Sequence, residues 1–245
     1  MSIRTLCKLL LLLFAPLATQ AAVADDDWGT LRGVIRVTGT IPRLANLAPA
    51  AGLCPAVPVP EESLLVDPET GGLQNVAIYL LKAPSRIHPS LREVPARPAQ
   101  QFLQDCRFVP RMLIVRVGQK VEVYHDDPLV HMPRWHGFRN TINPNPAAAN
   151  PEIVRLTTAE QIPVKLACDV HPYMTGWWVT LAHPYAAISN GQGEFQIPLL
   201  PDGEQELIIW HERKGYIHKS FRVTIEPGDN LLPTISVPIE EFTAR

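Results

Sequence analysis

Charge of one sign is what this sequence most plainly lacks. Its 22 Lys and Arg are balanced by 24 Asp and Glu, a scattered net charge of −2 that argues against a nucleic-acid binder. No apolar run reaches the ~20 residues needed to cross a bilayer as a helix. No window sustains an apolar period of 3.6, and no internal repeat is present. Catalytic signatures are missing as well. There is no glycine-rich phosphate loop and no credible nucleophile–base pair. His211-Glu212 opens like a zinc-protease motif, but Gly215 stands where that motif needs its second histidine. The paired-histidine motifs of a multicopper cluster are absent too. A non-catalytic protein is therefore expected. Cysteine is scarce, with 4 in 245 residues, room for two disulfides at most.

Proline is plentiful instead, 25 residues, against a usual share of roughly 5%. Helix interiors reject it, so a loop-rich all-β protein is favoured. The hydrophobic fraction of 46% is enough for a real core. Short β-prone runs recur at 30–37, 75–81, 112–117, 120–124, 152–156, 161–168 and 176–182. Four more follow at 186–189, 194–198, 204–211 and 219–225. Turn chemistry separates them, as at Asn190-Gly191-Gln192-Gly193 and Pro201-Asp202-Gly203. Residues 41–72 and 83–104 read as loop. Packed antiparallel sheets are the expected architecture.

The first segment reads as a targeting signal. Arg4 and Lys8 precede the apolar stretch Leu9 to Leu17, and Ala22-Val23-Ala24 supplies small residues before Asp25. Cleavage near Ala24 would remove residues 1–24 and place the protein in the periplasm or outside the cell. Loss of Arg4 and Lys8, with no acidic residue, takes the net charge from −2 to −4. Cys7 goes with them. Cys54, Cys106 and Cys168 remain. In an oxidising space Cys54 and Cys106, both in the loop-rich part, are the expected disulfide; the alternative is two buried thiols.

The sharpest feature is Cys168-Asp169-Val170-His171-Pro172-Tyr173-Met174. It offers thiolate, imidazole and thioether within seven residues, between two predicted strands. These are soft ligands of the kind copper prefers, and a copper electron-transfer site needs one further imidazole. His131, in Asp126-Asp127-Pro128-Leu129-Val130-His131 after a predicted strand, can supply it. Taken singly, Cys168 reads as a buried small residue, His171 as a turn histidine and Met174 as core filler. Their conjunction points to a metal site. Zinc prefers four strong ligands, and a thioether is a poor one. His125 and His136 flank the loop as solvated histidines or a second metal site.

The segment from Cys106 to Thr180 resembles the cupredoxins. Phe108-Val109-Pro110, Val117-Gly118-Gln119-Lys120-Val121, Asp127-Pro128-x-x-His131 and the Cys168-His171-Met174 loop fall in that family's order. The short ligand loop, with Pro172 after its histidine, is similar to that of the amicyanin subgroup. The resemblance implies a Greek-key β-sandwich with one mononuclear type 1 copper. It implies His131, Cys168 and His171 as equatorial ligands and Met174 as axial ligand. Met132 stands where the family usually carries an asparagine that braces the cysteine loop. The flanking segments, Gly33 to Val37, Asn75 to Leu80, Ala187 to Phe195 and Pro201 to Trp210, resemble carboxypeptidase regulatory-like domains, which are transthyretin-like β-sandwiches. The two-part chain resembles exported bacterial proteins labelled methylamine utilisation proteins, with a matching His183-Pro184-Tyr185. It implies a regulatory-like sandwich over 25–83 and 184–245 with a cupredoxin domain over 84–183 inserted or packed beside it. One-electron transfer to a redox partner, such as a cytochrome or dehydrogenase, is the implied function. The alternative is copper handling or tolerance without a dedicated partner. Trp177 and Trp178 face opposite ways if strand. One is expected in the core and the other with Tyr173 in an apolar docking patch.

Overall fold

The structure is a computed structural model, and residues 27–47, 58–140, 142 and 150–243 are described. The expected export signal and Cys54 lie outside them. Strands β1 (Trp28–Thr38) and β2 (Ala77–Leu80) come first. The middle of the chain gives β3 (Ala99–Gln104), β4 (Arg107–Val109), β5 (Met112–Arg116), β6 (Lys120–His125), β7 (Pro133–Trp135), β8 (Glu152–Arg155), β9 (Val164–Cys168) and β10 (Thr175–Leu181). The end gives β11 (Ala186–Ile188), β12 (Glu194–Pro201), β13 (Gly203–His211), β14 (Gly215–Ile225), β15 (Gly228–Leu231) and β16 (Ile235–Pro238). The protein is all-β apart from short helical turns among the described residues.

Two sheets take strands from both ends of the chain. One is β12-β1-β15, with β16 also paired to β1; the other is β11-β2-β13-β14. The remaining two, β5-β10-β9-β7 and β4-β3-β6-β8, are built wholly from the middle. Side-chain alternation stacks them into four layers. Leu31, Ile35 and Ile197 share one core with Ile78, Leu80, Leu207 and Ile209. The next residues on the same strands, Ala77, Tyr79, Ile208 and Trp210, face the other way and meet Met112, Val179 and Leu181. Beyond that layer Val115, Leu166 and Trp178 close a third core with Leu103, Val121, Val123 and Val154. The two inner sheets are thus covered on both faces. This is why β2 and the end of β13 read as continuous apolar runs rather than alternating ones.

Two expectations need correction. The sheets are not purely antiparallel: β1 with β15 and β16, β5 with β10, and β3 with β6 are parallel pairs. Parallel partners cannot be joined by a hairpin, so turn residues carry no sign of them. The stretch 83–104 is not all loop either, because Ala99–Gln104 forms β3. Its Ala-Gln-Gln-Phe-Leu-Gln composition has little β propensity, and pairing with β6 and β4 decides its state. Gln101 faces inward and is fully buried, yet its amide is satisfied. Trp178 Nε1 donates to its Oε1 at 2.8 Å, and its Nε2 donates to Pro110 O at 3.1 Å.

Candidate metal centre

The ligand loop lies between antiparallel neighbours β9 and β10, where Thr175 pairs with Ala167. Cys168 is the last residue of β9 and His171 lies in the turn that follows. The Met174 amide donates to His171 O at 2.9 Å and closes that turn. His131 arrives from the connection between β6 and β7. β7 pairs with β9 so that Pro133 lies opposite Cys168. His131, Cys168, His171 and Met174 are each no more than 2% exposed. The strand framework therefore brings together on one end what is separated by 37 positions in sequence.

Both imidazoles turn Nδ1 toward the thiol. Cys168 Sγ is 3.6 Å from His171 Nδ1 and 3.8 Å from His131 Nδ1. All three donor atoms lie within 4.8 Å of one another. A metal bound at about 2.0 Å to nitrogen and about 2.3 Å to sulfur, with ligands 110–120° apart, would set S···N at roughly 3.5–3.7 Å. The donor set fits a metal ion. Met174 is buried in the same core as Cys168, and its amide is tied to the His171 carbonyl.

Asp127 fixes the chemistry of His131. Its Oδ2 lies 2.8 Å from His131 Nε2. A carboxylate only accepts, so Nε2 carries the proton and Nδ1 keeps its lone pair for a metal. The same carboxylate accepts the amides of Asp105 at 2.6 Å and Cys106 at 2.8 Å. Asp105 and Cys106 have φ of 51° and 55°, the left-handed region that side chains other than glycine rarely adopt. Their two N–H groups form a small anion cradle that Asp127 fills. Burial lowers the His131 pKa from its ordinary value, against the opposing pull of Asp127. Burial thus favours the neutral imidazole, the form that can bind a metal. Sequence reasoning quoted Asp127 as part of a motif and missed this role; its position four before His131 was the available signal.

Met132 meets the cysteine loop through its main chain. The Met132 amide donates to Cys168 Sγ at 3.4 Å, and Met132 O accepts the Asp169 amide at 3.0 Å. Neither bond depends on the side chain, which is 55% exposed. The Arg134 guanidinium grips Asp169 and holds its carboxyl below the usual range.

His125 and His136 join no three-ligand group among the described residues. The His125 ring rests edge-on against His131 at 5.2 Å, and His136 is exposed. Cys106, Asp127 and His131 also lie close together. Cys106 is disulfide-bonded, so it offers no thiolate there. Its partner lies outside the described residues, as does Cys54, the expected one. Cys168 is a free, buried cysteine. The expected tryptophan patch is corrected in part. Trp178 is fully buried, but Trp177 does not join Tyr173; it packs between the inner sheets against Trp210, ring centroids 4.8 Å apart.

No family model and no curated protein matches the chain. Among solved structures, a Cu-containing nitrite reductase from Thermus scotoductus SA-01 is 18% identical at a TM-score of 0.29. It covers 41% of this chain, which spans 28% of that enzyme. A reduced Cu(I) form of an amicyanin mutant is 16% identical at 0.27, over 36% of this chain and 87% of its own. A purple cupredoxin from Nitrosopumilus maritimus is 18% identical at 0.27, over 34% and 99%. Likenesses this weak establish neither a family nor an activity.

Proposed function

We propose that this chain binds one copper ion through His131, Cys168 and His171, with Met174 as the weak axial donor, and carries single electrons. The observation that bears the reading is the buried pair of Nδ1 atoms at 3.6 and 3.8 Å from one free thiol. Met174, buried in the same core as Cys168, offers a thioether, and such a donor would favour copper over zinc. Copper bound there would supply a one-electron couple with a thiolate ligand.

The residues of the chain do the rest. Asp127 holds the His131 tautomer, the Met132 amide donates to the sulfur, and β7 and β9 fix the spacing between the two ligand segments. Donors fixed in this way need little movement between oxidation states. Their burial excludes water and slows metal exchange, which supports electron transfer over copper handling. In this reading the protein is not an enzyme. It works after export, where a Cys106 disulfide is stable. Its partner is a second redox protein, such as a cytochrome or dehydrogenase, docking weakly beside exposed Val130 and Met132. The sandwich built from the chain ends is the regulatory-like module, with the cupredoxin domain inserted in it.

The test is a visible and electron-spin-resonance spectrum of the oxidised, copper-loaded protein. An intense thiolate-to-copper charge-transfer band is expected, and its absence sinks the assignment. Met174→Leu should keep the copper and shift its potential.

A further inference from the structure

The turn between β13 and β14 reaches across the inner layers to the strand that leaves the ligand loop. Glu212 lies in that turn, and Arg111 lies just before β5. Arg111 Nε donates to Glu212 Oε1 at 2.5 Å and Nη2 to Oε2 at 2.7 Å. Their side chains are only 13% and 7% exposed. Burial by itself would lower the Arg111 pKa, but bonding to Glu212 outweighs it and the guanidinium stays charged. The pair also makes contacts that a simple tie between sheets would not require. Arg111 Nη2 donates to Thr175 Oγ1 at 2.8 Å, and Arg111 O accepts the Trp177 amide at 2.8 Å. Trp177 Nε1 donates to Glu212 Oε2 at 3.1 Å. Thr175 directly follows Met174, the last residue of the ligand loop.

We infer that Glu212 is a positioning residue for the ligand loop, acting through Arg111 on Thr175 and Trp177. Without its carboxylate the buried guanidinium loses its bidentate partner, keeps only the charges of Glu61 and Glu62, with which it forms no ion pair, and turns toward water. Thr175 then loses its donor, and the turn closed by the Met174 amide loosens. One sandwich thereby sets the geometry of a site lying wholly in the other. This deepens the copper reading only in its spectroscopic arm; the coupling itself belongs to the metal-free chain.

The experiment is native-state amide exchange on the metal-free full chain, comparing Glu212→Gln with Ile208→Ala. Ile208 lies in the same inter-sheet layer, and its apolar side chain takes no part in the hydrogen bonds that link Glu212, Arg111, Thr175 and Trp177. Glu212→Gln should speed exchange of the Met174 and Trp177 amides roughly tenfold, leaving amides in β1 and β12 unchanged. Thr175→Val keeps the Arg111–Glu212 pair and should reproduce the Met174 effect. After copper loading, Glu212→Gln should also displace the charge-transfer band and Ile208→Ala should not. Equal patterns in Glu212→Gln and Ile208→Ala would overturn the inference, as would an unchanged Met174 amide in Thr175→Val. A colourless protein whose exchange behaves as stated sinks the copper assignment and leaves the coupling standing.

Discussion

Buried histidines occur in both halves of the molecule, and they differ in what surrounds them. His183 and His211 serve the sandwich made from the chain ends. His183 Nε2 lies 3.1 Å from Leu80 O, and His211 Nδ1 accepts the Arg213 amide at 3.3 Å. Burial takes their pKa values down to about 4 and about 3. Each is held neutral by burial, and neither joins a cluster of metal-ligating side chains among the described residues. His131 and His171 are equally buried, but both face one thiol. Burial alone makes a histidine inert; burial with converging donors makes a site. The cores show the same contrast. The end-strand core is chiefly aliphatic, with Tyr185, Phe195 and Phe242, whereas the middle one holds Cys168, Met174, Trp135 and Trp178.

The largest expected effect comes from removing the centre of that convergence. Cys168→Ala should abolish the visible charge-transfer band outright in a chain that still folds, as far-ultraviolet circular dichroism would show. The converse is Ile209→Ala in the end-strand core, which should cost about 2–5 kcal/mol in chemical denaturation. The spectrum of the surviving native fraction should not change, and a changed spectrum would break the separation of the two cores. Asp127→Asn removes an oxygen acceptor shared by His131 and Cys106 and should weaken metal affinity roughly 10–100-fold, read by competition with a chelator.

Acid should act through the other pair. The folded pKa values of His183 and His211 lie below the ordinary 6.5, so the unfolded chain binds more protons between pH 6.5 and about 3–4. Stability therefore falls as pH drops through that window, by up to about 1.4 kcal/mol per pH unit for each group. Urea midpoints from pH 7 to 4 should decline, and His211→Gln should flatten the slope. An equal slope in the variant would show that other groups dominate. The smallest effect belongs to Met132→Ala. Its contribution to the site is made by main chain, so copper affinity and colour should stay within error.

The all-β class was legible because proline excludes helix and alternation marks strands. It remained visible in β6, where Val121 and Val123 are buried and Glu122 faces outward. The donor residues themselves were legible in a seven-residue stretch and one upstream histidine. Other elements left no local trace. β3 is strand through its partners, and its buried Gln101 is tolerated only because Trp178 and Pro110 meet both ends of its amide. Trp177 could be assigned to the opposite face from Trp178, but not to a second sheet waiting there.

Sequence by itself determined the chemistry on offer: one soft-ligand loop, one upstream histidine and a strand-forming chain with little charge to bias it. Tertiary structure decided which of those groups meet. It set the donor distances, gave the His131 proton to Asp127, and brought Glu212 against Arg111 from 101 residues away. Residue types and their periodicity are local, so a sequence displays them. Convergence depends on pairing between distant strands, whose register is fixed only when both faces of a sheet find their cores.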